Sequence, residues 1–157
     1  MNDIRIIEGG ARITGARFAV IVARFYAEVG DALTRGAVDT LRAAGADGAD
    51  IHVIHVPGAW ELPLAARRAA GNGQYDAIIA LGCVIRGETA HFDYVCTEAS
   101  RGLAAVGEDC GLPVGFGLLT AENRTQAEAR AGGEKGNKGV EAASAAIEMI
   151  NLLRRIG

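Results

Sequence analysis

Gly87-Glu88-Thr89 stands just before a stretch of helical periodicity that opens near His91. Free backbone N–H groups and a hydroxyl converge at such a helix start, which makes an anion site suited to a phosphate. His91, at the positive end of that helix, is placed to exchange a proton with such a ligand. The same residues fit an ordinary N-cap at Thr89 and a surface histidine in a first turn. Glu61 follows Gly58-Ala59-Trp60 and lies next to Pro63 at a helix start. Its carboxylate can meet the hydroxyls of a ligand, or simply complement the first turn. Phe25 and Trp60 are candidate stacking surfaces for a planar ring, with core packing as the alternative. Arg130 and Lys138 flank the polar, glycine-containing stretch 132–137. Each is either a solvated charge or, with Gly87-Glu88-Thr89, part of a phosphate site, Arg130 through its bidentate fork. His52 and His55 are three apart on an expected strand, so they point to opposite faces and cannot share a ligand.

These side chains need a scaffold, and short β-branched runs alternating with longer helical patterns supply one. The expected buried strands are Phe18–Ala23, Ile51–Val56, Asp76–Leu81 and Pro113–Leu119. Helical spacing runs through Val29, Leu33, Ala37, Leu41 and Ala44, then Phe92, Val95, Cys96, Ala99, Leu103 and Val106, and finally Val140, Ala143, Ile147, Ile150 and Leu153. Near-continuously apolar strands alternating with helices predict an α/β fold with a parallel sheet covered on both faces. Right-handed crossovers then carry every strand-to-helix loop to one edge of the sheet, where open α/β sheets bind ligands. The loops expected there begin at Arg24, Pro57, Gly82 and Thr120. Residues 1–16 are polar and weakly patterned, an N-terminal arm that is weakly ordered or pairs with a neighbour; residues 17–157 make a single domain.

Composition excludes several classes. Hydrophobic residues are 50% and charged residues 22% of the 157, a globular balance incompatible with disorder as the main state. The formal charge is -3 and no long basic run occurs, so nucleic acid and anionic membrane are poor partners. The run Ala77–Ile85 is far shorter than the roughly 20 residues that cross a bilayer. The opening Met1-Asn2-Asp3-Ile4-Arg5 lacks the pattern of a secretory signal, which predicts a cytoplasmic protein. Cys83, Cys96 and Cys110 are odd in number, widely spaced and without metal-ligand spacing, which predicts buried packing residues and no metal. No Walker loop, dinucleotide-binding glycine turn or nucleophile elbow is present.

Taken together, the loops resemble the lumazine synthase (6,7-dimethyl-8-ribityllumazine synthase) family. The resemblance is carried by Arg24-Phe25, by Val56-Pro57-Gly58-Ala59-Trp60-Glu61-Leu62-Pro63, and by Ala80–Thr89 continuing into His91-Phe92-Asp93-Tyr94-Val95-Cys96. Leu118-Leu119-Thr120, Arg130-Ala131-Gly132 and Asn137-Lys138-Gly139 complete it, over about residues 17–156. It implies a flavodoxin-like, three-layer αβα sandwich with a central four-stranded parallel sheet. It also implies a transferase of riboflavin biosynthesis that condenses a ribitylamino-substituted aminouracil with dihydroxybutanone phosphate, without metal or organic cofactor. By the same resemblance Phe25 stacks on the pyrimidine, Ala59, Trp60 and Glu61 hold the ribityl chain, and the backbone at Val84 and Ile85 reads the ring. Gly87, Glu88 and Thr89 fall at the phosphate, His91 at the proton-transfer histidine and Lys138 beside the pocket, while Phe116 and Arg130 reach the site from an adjacent subunit.

Some positions depart from the commonest family pattern: Tyr26 replaces the usual Asn, Ala90 stands where Pro or Thr is frequent, and Ala121–Arg124 replaces a Thr-rich stretch. The partners implied are small-molecule substrates, further copies in a homopentamer, and riboflavin synthase. The short connection at 132–136 favours the sixty-chain icosahedral shell over a free pentamer. The rival readings are a flavin- or lumazine-binding relative without turnover and a purely shell-forming one.

Overall fold

A computed structural model describes residues 2–157; Met1, the first residue of the expected arm, lies outside them. Strand β1 (Phe18–Ala23) is buried along its whole length, because it is central and apolar on both faces. Strands β2 (Ile51–Val56), β3 (Ala77–Ile85) and β4 (Val114–Ala121) join it in one parallel sheet of order β2-β1-β3-β4. Helices α1 (Ala27–Ala44), α2 (Leu62–Gly71), α3 (His91–Cys110), α4 (Arg124–Ala129) and α5 (Lys138–Ile156) cover it. The residues of β1 alternate between two cores. Phe18, Val20 and Val22 pack with Leu33 and Leu41 of α1 and Ile147 of α5; Ala19, Ile21 and Ala23 pack with Leu62 of α2 and Leu103 of α3. The result is the expected three-layer, flavodoxin-like sandwich.

Two strands extend beyond their expected ends. β3 continues through Gly82 to Ile85, paired with Leu118–Ala121, so the third loop begins at Arg86 rather than at Gly82. Gly82 does not break the strand, because a Cβ there would sit 2.8 Å from the Ala23 Cβ; its bare backbone lets the neighbouring strand in. β4 likewise takes in Thr120 and Ala121. The cysteines also differ from expectation. Only Cys83 is buried, while Cys96 is half-buried and Cys110 is exposed at the end of α3, where the apolar stripe no longer faces the sheet.

Between α4 and α5 the chain folds into a small antiparallel hairpin, β5 (Ala131–Gly133) and β6 (Gly136–Asn137). Residues 8–15 lie along α5 without regular structure. Asn151 Nδ2 donates to the carbonyls of Gly10 (2.8 Å) and Arg12 (2.6 Å), and Arg154 donates to those of Thr14 and Gly15. No helix among the described residues is long and apolar enough to cross a membrane.

Candidate active site

The chain runs from β1 to β2 on one side and then returns past β1 to β3. The loops leaving β1 and β3 therefore diverge to opposite faces of the sheet and leave a crevice at the strand ends. A cavity of about 970 Å³ opens there. Phe25 and Tyr26 enter it from the end of β1, and Pro57–Glu61 from the end of β2. Cys83, Val84 and Ile85 come from the last turn of β3, with Gly87, Thr89 and His91 from the loop and first turn of α3.

Each wall has a local cause. Gly58 is extended, and its N–H donates to Glu61 Oε2 at 3.1 Å, so the loop folds back on the carboxylate and holds it at the rim with Oε1 free to accept. Ala59–Glu61 make one 3₁₀ turn ahead of Pro63 in the first turn of α2, which presents Trp60 outward. Trp60 and Phe25 are 59% and 65% exposed. Two large apolar rings left open on facing loops of one cavity mark a binding surface, not core.

At the other end, α3 begins at His91 behind Ala90. The His91 N–H donates to Thr89 Oγ1 at 3.3 Å, so Thr89 caps the turn one residue earlier than an N-cap would, and its hydroxyl hydrogen stays available to a ligand. The positive end of a 20-residue helix faces the cavity beside Gly87 and Thr89. Burial in the floor pushes the Cys83 thiol up to about 11, so it is neutral in the physiological range.

The structure thus gathers Phe25, Ala59, Trp60, Glu61, Val84, Ile85, Gly87, Thr89 and His91 on one cavity. It leaves four expected residues off that wall. Glu88 is exposed in the loop and is not among the residues that line the cavity. Phe116 lines a separate apolar groove of about 590 Å³ on the outer edge strand β4, with Met149 and Leu153 of α5. Arg130 caps α4, its guanidinium donating to the Gln126 carbonyl at 3.0 Å, and Lys138 opens α5, 3.5 Å from Glu141. Among the described residues the cavity wall contains no Lys or Arg at all.

Sequence reasoning missed Tyr26, Phe92, Tyr94 and Val95 as lining residues. Tyr94 and Val95 follow His91 at i+3 and i+4, a spacing that puts them on its face of α3. Arg86 was also passed over. Its guanidinium lies 4.4 Å over the Phe92 ring and bonds Glu122 (2.9 Å) and Asp93 (3.2 Å), tying the first turn of α3 to the end of β4.

Comparison with known proteins agrees with this arrangement. The family model of 6,7-dimethyl-8-ribityllumazine synthase matches residues 15–154. A protein of Chlorobium phaeobacteroides named 6,7-dimethyl-8-ribityllumazine synthase is 50% identical over 153 residues, which span 98% of this chain and 99% of that one. With the match running through every loop that builds the cavity, the chain belongs to the 6,7-dimethyl-8-ribityllumazine synthase family.

Proposed function

We propose that the chain condenses 5-amino-6-(D-ribitylamino)uracil with 3,4-dihydroxy-2-butanone 4-phosphate to 6,7-dimethyl-8-ribityllumazine, releasing phosphate and water, as a transferase of riboflavin biosynthesis. The observation that carries this reading is one cavity with open aromatic rings and a carboxylate at one end and a helix N-terminus with a histidine at the other. A planar ring with a polyol chain suits the first end and a phosphate ester the second. Phe25 stacks on the pyrimidine, Ala59, Trp60 and Glu61 take the ribityl chain, and the backbone of Val84 and Ile85 meets the ring edge. Gly87, Thr89 and the backbone N–H of Glu88 bind the phosphate.

The amine attacks the ketone carbon and the adduct loses water to an imine. Loss of a proton next to it expels phosphate, and the second amine closes the ring with loss of water. Holding both substrates in register supplies part of an effective-molarity gain of ~7–11 kcal/mol. His91 moves the protons, a task worth about 10²–10⁴-fold. The chemistry needs no metal or organic cofactor. Mixing both compounds with the metal-free, desalted protein tests this: product and phosphate should appear together, and their absence overturns the reading.

Assembly follows from charge. A phosphate ester needs a cation, and this cavity wall has none of its own. Arg130 and Phe116 therefore serve the cavity of the neighbouring chain in a homopentamer, with the apolar groove at β4 against that neighbour, and Lys138 stands beside the pocket at the uracil. Ile4 and Ile6, both exposed, suit the start of the expected 1–16 arm to a neighbouring chain, while Ile13 and Ala16 pack in the core of their own chain. The connection from Arg130 to Asn137 is wholly taken up by the β5–β6 hairpin, which favours closure of pentamers into the sixty-chain shell. The protein works in the cytoplasm, and riboflavin synthase takes up its product.

A further inference from the structure

Tyr26 has φ 60 and ψ 61, and it is the one non-glycine residue with positive φ among those described. An L-residue there brings its Cβ against the following carbonyl; Gly or Asn tolerates it better than an aromatic residue. Tyr26 also occupies the N-cap of α1, its carbonyl accepting from the Gly30 N–H at 3.1 Å, yet its side chain makes no capping bond. Asn would relieve the backbone and cap the helix, so local structure alone does not explain a tyrosine.

We propose that Tyr26 is a positioning residue for Phe25: its ring holds the Phe25 ring in place as the wall on which the pyrimidine stacks. The two rings meet edge to face, 4.8 Å between centroids and 89° between planes. Tyr26 is half-buried against the core on one side and lines the cavity on the other. Phe25 is 65% exposed, and its backbone N–H donates to the Pro57 carbonyl at 3.2 Å. An open ring loses rotamer freedom when a ligand stacks on it; the edge of Tyr26 removes that freedom beforehand. Strain kept at a binding site and compensated elsewhere has this form. The inference rests on the pyrimidine-binding reading above.

Four proteins separate the ring's role from the backbone's: the parent, Tyr26→Phe, Tyr26→Ala and Tyr26→Asn. Ala and Asn both delete the ring, but Asn tolerates the left-handed backbone and caps the helix. Tyr26→Phe should keep the KM for the pyrimidine within about twofold, while Ala and Asn should both raise it about 3–10-fold and leave the KM for the phosphorylated ketone unchanged. Tyr26→Asn should nevertheless melt about 2–4 °C above Tyr26→Ala. A pyrimidine KM that follows the melting temperature, with Asn near the parent and Ala worst, overturns the proposal. Trp60, the single tryptophan, lies in the same cavity, so quenching of its fluorescence by the pyrimidine gives dissociation constants without turnover. A parent that binds the pyrimidine but makes no product overturns the reaction alone, and the ranking of those constants then decides Tyr26. A parent that does not bind it overturns both.

Discussion

The backbone N–H of Lys138 donates to the carbonyl of Arg130 at 2.9 Å. That bond closes the open end of the β5–β6 hairpin and makes neighbours of two cations that the sequence separates by a run of glycines and charges. On the proposed shared-site reading, a neighbouring chain supplies the cation that this cavity wall lacks.

Arg130→Ala should raise the KM for the phosphorylated ketone roughly 10–100-fold, the loss of a charge-assisted pair, with little effect on the KM for the uracil. Unfolding and refolding it together with His91→Ala should restore activity, because about a quarter of random neighbour pairs then hold an intact His91 facing an intact Arg130. Steady-state kinetics of the mixture gives the answer. No recovery above either parent variant means that each chain is self-sufficient.

Asn137 controls where that hairpin ends. Its Oδ1 accepts from the N–H groups of Gly139 (2.8 Å) and Val140 (3.3 Å), and its Nδ2 donates to the Ala32 carbonyl at 3.1 Å, joining α5 to α1. Asn137→Ala should lower stability by about 1–3 kcal/mol, combining a lost cap with a lost hydrogen bond between α5 and α1. Gly139→Ala should cost at least as much, since its Cβ would lie 2.1 Å from the Leu33 carbonyl oxygen. Urea unfolding curves measure both; midpoints equal to the parent's would show that α1 and α5 do not pack in this way.

The scaffold was legible where one rule acted alone. Phe18–Ala23 and Ile51–Val56 are apolar or β-branched runs between polar residues, and they fold as strands at those boundaries. Gly82 misled because its local preference for a break is overridden by Ala23 on the adjacent strand, a contact invisible in one dimension. The convergence of the Phe25, Trp60 and His91 loops followed from the handedness of crossovers. The pairing of Arg130 with Lys138 did not, because strands of three and two residues built on glycine carry no alternation to read. Val95 belongs to the apolar stripe of α3 and also lines the cavity, so its periodicity marked core and concealed the second role.

Burial raises the Cys83 thiol to about 11, whereas an unfolded cysteine titrates near 8.5. The folded state therefore holds this proton more tightly. The associated stability is fully present below about pH 8.5 and is lost as pH climbs towards 11. Iodoacetamide at pH 8 should label exposed Cys110 first and Cys83 last, with Cys83 labelling accelerating as pH approaches 11. Mass spectrometry of timed digests distinguishes them; Cys83 reacting first at pH 8 would refute a neutral thiol in the cavity floor.

Light scattering in phosphate buffer should give a mass of about sixty chains. A mass near five chains defeats the shell and leaves the pentamer; an active single chain defeats the shared site.

The most direct measurement follows lumazine and phosphate in the same reaction, for the parent and for His91→Ala. The parent should release one phosphate per lumazine formed, and His91→Ala should lose about 10²-fold in kcat with an unchanged melting temperature, since His91 is exposed in a first turn and adds little to the core. Phosphate released without lumazine, or a His91→Ala protein with the parental kcat, contradicts condensation in this cavity.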